Sequence, residues 1–599
     1  MKKKQFVIAL SAMFSLILTS SIYSTTVHAE KDKERSIKFS LLPLNGKVPE
    51  TVAQSTKIEL ENGMTKPIYS IDEAIVEKLY VETEIDSDLD WKKDLVSIKV
   101  MRPKTEPGVK VPVIYEMSPY RSGINNVPAY NVDEELYPTE GKPYAEPANL
   151  GSYGNYYVPR GYAVILGESI GTGNSGGCPT TGDEQEIIGT KSVIDWVNGR
   201  AKAFNEYGDE IEADWSTGNV GMTGVSYNGT LPNAVATTGV EGLKTIIPIA
   251  AISSWYDYYR ANGAVIAPDG FQGEDADKMA EAVLTRYDPE VCNKAIKELT
   301  DGQDRKTGDY NEFWDKRNYV KGAKNVKASV FVVHGLNDWN VKTKQFAEWW
   351  EALGENNVPR KMWLHQGEHG GTSENNWEQT QNKWFDYWLY GIENGIMNEP
   401  MVDVQRENKP WQKLKNWPDP AAVPSKMRML LSNKAVDLPL RMGAVQQVFS
   451  LLDDAKIKSN QLVANPELES PNRLVYVMPK LEKEMRISGT PKISFKGNID
   501  RPVSNLTALL VDYGGAKPEV VTRGWMDPQN LNGKERSMPI IPGKDYTFTW
   551  DMQPDDYVFQ PGHQIGVVLI ASDYDYTIRP KAGTKLTVKL SEVTLPIVK

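Results

Sequence analysis

The segment Asn219-Val220-Gly221-Met222-Thr223-Gly224-Val225-Ser226-Tyr227-Asn228-Gly229 constrains the fold more than any other stretch of the chain. An apolar run of strand character enters Gly-x-Ser and leaves through small residues of helical character. This is the pattern of a nucleophile elbow, a sharp strand-to-helix turn that lifts a serine hydroxyl above a sheet. The hydroxyl then sits at a helix N-terminus, where the dipole favours developing negative charge. Gly224 and Gly229 supply the clearance such a turn needs. The pattern departs in one place: Asn228 holds the usual position of the second glycine, and the glycine follows one residue later. A bare Gly-x-Ser also occurs in ordinary turns, so the strand-turn-helix context is what makes Ser226 a candidate nucleophile.

The surrounding chain fits a parallel sheet covered on both faces. Short apolar runs at 111–117, 162–166, 219–223, 245–251, 329–334 and 361–365 read as strands, with helical patterns at 186–197, 346–353 and 377–389 between or after them. Trp377, Trp384, Phe385 and Trp388 keep helical spacing and read as a core stripe rather than a ligand cage. The stretch from 252 to 328 is too long for a loop in a compact sheet. With helical patterns at 276–284 and 291–299, it reads as a helical cap insertion, placed at about 262–325. Strands also flank an acidic stretch, at 76–81 and 95–101. Asp86, Asp88 and Asp90 there superficially match a calcium loop, but Trp91 stands where the glycine belongs and Ser97 where the bidentate glutamate belongs, so an EF-hand is rejected for a polar hairpin tip. After about residue 400 the helical pattern stops. Short runs at 427–431, 473–478, 492–496, 506–512, 546–549 and 564–570, separated by Pro, Gly, Asn and Asp, read as an all-β jelly roll beyond a Pro-rich linker at 417–424. The expected organisation is therefore an α/β-hydrolase sheet at 76–400 with a helical cap, then an all-β domain at 401–599.

The N-terminus reads as a secretory leader. Lys2, Lys3 and Lys4 precede an apolar run at 6–18 that is short for a membrane span, and Val27-His28-Ala29 offers a cleavage site, so 1–29 is expected to be removed and 30–75 to form an exposed leader. The net charge of −11 becomes more negative without those lysines. That argues against nucleic acid or an anionic membrane as partner. The 2 cysteines, Cys178 and Cys292, make no disulfide scaffold and no structural zinc site. Both read as unpaired thiols, with a bridge between them left open for an oxidising compartment.

A serine nucleophile needs a base and an acid, which in this fold class follow it in the order Ser, acid, His. Asp338 lies just beyond the strand at 329–334, and His369 stands on a loop beyond the strand at 361–365. His365 is still on that strand and reads as buried. His334 precedes the acid loop and reads as structural, and His563 belongs to the β-domain. The expected triad is Ser226, Asp338 and His369. This chemistry needs no metal or organic cofactor.

Longer strings carry a family resemblance. Gly171-Thr172-Gly173-Asn174-Ser175-Gly176-Gly177-Cys178-Pro179-Thr180, Val193-Ile194-Asp195-Trp196-Val197-Asn198-Gly199-Arg200, Ile252-Ser253-Ser254-Trp255-Tyr256-Asp257-Tyr258-Tyr259-Arg260, Gly273-Glu274-Asp275 and His334-Gly335-Leu336-Asn337-Asp338-Trp339-Asn340-Val341 resemble the X-prolyl dipeptidyl aminopeptidases of Gram-positive bacteria. The likeness runs over roughly 75–599 and is densest at 160–370. Cocaine esterase and the α-amino acid ester hydrolases are wider relatives on the same plan. The chain is expected to differ from lactic-acid-bacterial members in lacking their long N-terminal domain and in carrying a leader. The resemblance implies an acyl-enzyme peptidase whose oxyanion donors are the Tyr120 hydroxyl and the Tyr227 N–H. It implies a proline pocket lined by Trp255, Tyr258, Met279 and Val341, with Phe271 as a further apolar wall. Asn340 would bond the substrate backbone, and Glu274 would read the free α-ammonium. The implied partners are peptides with proline second. An α-amino acid ester hydrolase on the same scaffold is the alternative, and the Trp255–Tyr258 pair with the 338–341 string favours the peptidase. A carbohydrate-binding protein acting through its jelly roll is disfavoured by a complete, correctly ordered triad.

Overall fold

The computed structural model describes residues 57–132, 151–372, 376–407, 409–428 and 448–599. The expected leader and its cleavage site, the segment on to 56, and the last residues of the strand expected at 427–431 lie outside them.

An 11-stranded sheet organises the first part of the chain. Its strands are β1 (Ile75–Glu82), β2 (Leu95–Arg102), β3 (Val111–Ser118), β4 (Ala163–Glu168), β5 (Ala203–Phe204), β6 (Ser216–Val225), β7 (Leu243–Ile249), β8 (Ser329–Gly335), β9 (Arg360–His365), β10 (Val402–Arg406) and β11 (Lys409–Leu414). They lie side by side in the order β11-β10-β9-β8-β7-β6-β3-β4-β2-β1-β5. From β4 to β10 every pairing is parallel. β8 shows why such strands read as continuous apolar runs. Its Val330 and Val332 enter one core while Phe331 and Val333 enter another on the opposite face, the period-2 alternation of a strand buried on both sides.

The helices that matter are α1 (Glu184–Val197), α2 (Tyr227–Ala236), α3 (Trp255–Tyr259), α4 (Ala276–Val283), α5 (Asn293–Gly302), α6 (Lys344–Glu355) and α7 (Trp377–Tyr390). Residues of α1, α2 and α6 fill one core, and Trp377, Trp384 and Phe385 of α7 fill the other. The aromatic stripe is therefore core. Helices α3, α4 and α5 all fall between β7 and β8; α4 and α5 lie within 262–325, and α3 precedes it. The helix read at 291–299 begins as a 3-10 turn, Pro289–Cys292, and becomes α-helical from Asn293.

The C-terminal domain is all antiparallel. Its strands are β12 (Ala422–Arg428), β13 (Phe449–Leu452), β14 (Leu474–Val477), β15 (Met485–Gly489), β16 (Lys492–Ile499), β17 (Leu506–Tyr513), β18 (Glu519–Met526), β19 (Tyr546–Asp551), β20 (Asp555–Phe559), β21 (Gln564–Ile570) and β22 (Lys585–Val598). One sheet runs β19-β16-β22-β15-β20, with β12 and β13 also paired to β22, and the other runs β14-β21-β17-β18. A shared apolar core lies between them.

Four expectations need correction. The α/β sheet does not end at 400: the hairpin β10–β11 extends it to Leu414, because β10 pairs in parallel with β9. The strand read at 245–251 ends at Ile249, since Ala250 turns the chain at φ 48°. Residues 57–75 are not wholly an exposed leader. Thr65 is buried and donates its N–H and hydroxyl to Asp386 of α7, both at 2.8 Å. Finally, Cys178 and Cys292 are not free thiols. They form a disulfide, with Cα atoms 5.4 Å apart, that ties the loop after β4 to the insertion across 114 residues of sequence.

Candidate active site

Five neighbouring strands deliver the candidate residues from their C-terminal ends, where open α/β sheets bind ligands. In the order β9, β8, β7, β6, β3, the residues just beyond them include His369, Asp338, the Trp255–Tyr258 pair, Ser226 with Tyr227, and Tyr120. Sequence positions almost 250 residues apart thus converge because their strands are adjacent.

The elbow has the geometry its sequence demands. Ser226 adopts φ 63° and ψ −126°, a strained conformation for a residue with a side chain. Its N–H is held by the Ile249 carbonyl at 2.9 Å, and its carbonyl accepts from the Thr230 N–H and hydroxyl, each at 2.9 Å. A Cβ on Gly224 would come within 2.5 Å of the Asn228 backbone, and one on Gly229 within 2.6 Å of the Gly224 carbonyl. Both glycines are therefore required by close approach, and the glycine that arrives one residue late does the work expected of the usual one.

Asp338 is fully buried. Its Oδ1 accepts the N–H groups of Asn340 at 3.0 Å and Val341 at 2.8 Å, and its Oδ2 lies 2.8 Å from His369 Nδ1. A carboxylate only accepts, so Nδ1 carries the proton and Nε2 is left as the basic nitrogen. His334 supports the same acid: its Nε2 donates to the Val341 carbonyl at 2.7 Å and lies 3.6 Å from Asp338 Oδ2. Burial holds His334 below the usual histidine range. His365 is buried at the end of β9, and burial pushes it down to about 4. His563 pairs with Asp512 in the β-domain.

Around these residues lies a dense aromatic wall. The Tyr227 ring packs edge-on against Tyr120 and Trp255, with centroids 6.0 and 4.8 Å apart, and Trp255 packs edge-on against Tyr258. Trp255 and Val341 are fully enclosed, so they back the wall. Trp255 is fixed by its indole N–H bond to the Tyr319 hydroxyl at 2.9 Å. The Tyr227 hydroxyl donates to Glu186, whose carboxyl burial pushes up to about 7, so what Tyr227 can offer the site is its N–H. As the first residue of α2, that N–H has no acceptor within its own helix. Tyr120 and Met279 meet at 3.8 Å, and the Tyr258 hydroxyl donates to Asn340 Oδ1 at 2.9 Å, leaving the Asn340 amide nitrogen to donate elsewhere.

The acidic pair divides sharply. Asp275 is fully buried and bridges Arg260 and Arg305, at 2.9 and 2.8 Å. It also caps α4. Glu274 is half-buried and accepts from the Tyr259 hydroxyl at 2.8 Å. Burial pushes its carboxyl up to about 7, against the pull of that bond and of nearby Lys342. Phe271 accepts the Glu274 N–H through its carbonyl and so shapes the turn that presents this acid. Lys342, one residue past Val341, is itself fully buried and pushed down to about 7 by burial.

The sequence reading passed over several residues here. Tyr259, Lys342 and Glu186 act through buried polar contacts that no local pattern announces, whereas His334 holds the structural place beside the acid loop expected of it. Glu116 did leave a signal, as a lone acid inside an otherwise apolar strand. Away from this site, Asp86, Asp88 and Asp94 bring carboxylate oxygens within 4.8 Å of one another. Arg286 already pairs with Asp88 at 2.7 Å, and Ser87 donates to Asp94.

The chain matches two family models in succession: X-Pro dipeptidyl-peptidase (S15 family) over residues 92–371, and the X-Pro dipeptidyl-peptidase C-terminal non-catalytic domain over 394–598. A Bacillus anthracis relative is 80% identical over 596 residues, covering 100% of both chains. The Xaa-Pro dipeptidyl-peptidase of Lacticaseibacillus casei is 32% identical, over 90% of this chain and 78% of its own length. Among solved structures, an α-amino acid ester hydrolase aligns with TM-score 0.62 at 16% identity, over 89% of this chain and 98% of its own. An aminopeptidase from a Thaumarchaeota archaeon aligns with the same TM-score at 13% identity, over the same shares. At such identities these structures speak to the fold alone.

Proposed function

The chain belongs to the X-Pro dipeptidyl-peptidase (S15) family, and we propose that it is a secreted serine exopeptidase that releases Xaa-Pro dipeptides from peptide N-termini. The observations that carry the mechanism are the Asp338–His369 bond at 2.8 Å, made by loops beyond β8 and β9, and the elbow beyond β6 of the same sheet that holds Ser226 at positive φ. His369 Nε2 takes the Ser226 proton as the hydroxyl attacks the carbonyl of the substrate proline. Asp338 fixes the tautomer and stabilises the imidazolium. The Tyr120 hydroxyl and Tyr227 N–H hold the oxyanion. The tetrahedral adduct collapses to an acyl-enzyme as His369 protonates the departing amine, and water then repeats the sequence to free the dipeptide.

Exopeptidase character follows from Glu274. A carboxylate in a partly desolvated turn pairs with the α-ammonium of a free N-terminus, while the aromatic residues give the proline ring an apolar wall. Asp275 cannot share this role, because two arginines already occupy it. Secretion is supported by the lysine-led apolar run at 2–18 and by the Cys178–Cys292 bridge, which suits an oxidising compartment.

The test compares Gly-Pro-, Ala-Ala- and N-acetyl-Gly-Pro-anilides. A dipeptidyl-peptidase for proline hydrolyses the first far faster than the other two. Equal rates on the first and third would sink the exopeptidase reading, and a strong preference for amino-acid esters over every anilide would point to the ester hydrolase instead.

A further inference from the structure

Each of the two oxyanion donors is followed in sequence by a residue that bonds the same carboxylate oxygen. Tyr227 is followed by Asn228, whose amide nitrogen donates to Glu116 Oε1 at 3.1 Å. Tyr120 is followed by Arg121, whose guanidinium donates to Glu116 Oε1 at 3.0 Å. Glu116 stands on β3, the strand that leads to Tyr120 and pairs with β6, which leads to Ser226. Arg121 is fixed further by bonds to the Glu116 carbonyl at 3.0 Å and to the Gly167 carbonyl of β4 at 2.8 Å. Glu116 and Asn228 are 8% and 9% exposed, so the link is made away from water. Against an ionised Glu116, held in that state by Arg121, the Asn228 amide nitrogen is the atom that faces the carboxylate, since a carboxylate can only accept.

From this we propose that Glu116 is a positioning residue that holds the two halves of the oxyanion hole in register, acting through Asn228 on the elbow and Arg121 on the Tyr120 loop. Without the link the donors ride on separate elements, one on α2 and one on a loop beyond β3. An oxyanion hole acts only if both donors already stand where the charge will develop. A displacement of about 1 Å costs on the order of a hundredfold in rate. The proposal also accounts for the departure in the elbow motif: a glycine at 228 would offer no side chain to reach Glu116. Burial raises the Glu116 carboxyl above its usual range, against the pull of Arg121 and Asn228 toward the charged form.

The inference rests on the oxyanion assignment above, and the experiment separates the two. Asn228→Ala keeps the Cβ and suits a helix, and Glu116→Gln keeps an acceptor while removing the charge. With concentrations set by active-site titration, Asn228→Ala should lower kcat on Gly-Pro-anilide about ten- to a hundredfold, with KM changed less than about twofold. Glu116→Gln should fall between it and the wild type. Affinity for a dipeptide boronate, which forms a tetrahedral adduct, should fall in parallel with kcat, while inhibition by the product Gly-Pro should not change. Tyr120→Phe alone should cost about a hundredfold or more, and adding Asn228→Ala to it should cost much less than it does in the wild type. If Tyr120→Phe retains full kcat, the oxyanion assignment fails and the positioning role with it. If Tyr120→Phe is impaired but Asn228→Ala is not, or if boronate and dipeptide affinities fall equally, the assignment stands and the positioning role is overturned.

Discussion

Replacing Glu274 by Gln removes a charge while preserving shape, and its effect should depend on pH in a way the structure dictates. A charge-assisted contact between the carboxylate and a substrate ammonium contributes about 1.5–3 kcal/mol, or about ten- to a hundredfold in kcat/KM. That factor exists only while both partners are charged. Burial raises the Glu274 carboxyl to about 7, so in the free enzyme it is mostly protonated by about pH 6 and mostly ionised by about pH 8. The α-amino group of a dipeptidyl substrate titrates near 7.7–8.0, in the opposite sense. Because kcat/KM reports the free enzyme and free substrate, the ratio of wild type to Glu274→Gln should peak at about pH 7.5 and shrink on both sides. The assay is kcat/KM on Gly-Pro-anilide from about pH 5.5 to 9.5 for both enzymes, repeated with N-acetyl-Gly-Pro-anilide and a simple uncharged ester. On those two controls the ratio should stay near one at every pH. A ratio that is flat with pH, or a loss shared equally by charged and acetylated substrates, would refute the ammonium pairing and leave Glu274 as a partner of Tyr259 only.

Three further outcomes follow from the same geometry. Ser226→Ala should abolish labelling by a fluorophosphonate and lower kcat by about 10³-fold or more with the circular dichroism unchanged; undiminished turnover by the pure variant would exclude Ser226 as nucleophile. Asp275→Asn should lower stability by about 3–5 kcal/mol, read by urea unfolding, because it strips a buried partner from Arg260; a loss of ammonium discrimination without a loss of stability would reverse the roles given to Asp275 and Glu274. Reduction of the Cys178–Cys292 bridge, or its replacement by serines, should cost about 2–4 kcal/mol and lower Tm, and a Tm unchanged by reduction would mean the two thiols are not bonded in solution.

The sequence determined the class of the protein, because the features that do so are local. A strand entering Gly-x-Ser at 219–226, apolar runs spaced for a parallel sheet, and the chain order of Ser226, Asp338 and His369 each depend only on neighbours along the chain. Even the shifted glycine was visible, although its consequence was not. What the tertiary structure decided are matters of contact between segments far apart in sequence. The bond between Asp338 and His369 exists because β8 and β9 are adjacent. Asp275 and Glu274 are indistinguishable as a sequence pair, yet Arg260 and Arg305 reach one and Tyr259 the other, so one is locked in an ion-pair network and the other is left to titrate near neutrality. The cysteines were read as thiols because spacing along a chain says nothing of Cα atoms brought to 5.4 Å by folding. The extent of the large sheet was hidden for the same reason: 402–414 carries no helical pattern, and only its pairing with β9 reveals which sheet it joins. Glu116 makes the contrast plainest. In sequence it is one acid in an apolar strand, and in the fold it is the point where the loop of Tyr120 and the helix of Tyr227 are tied to one atom.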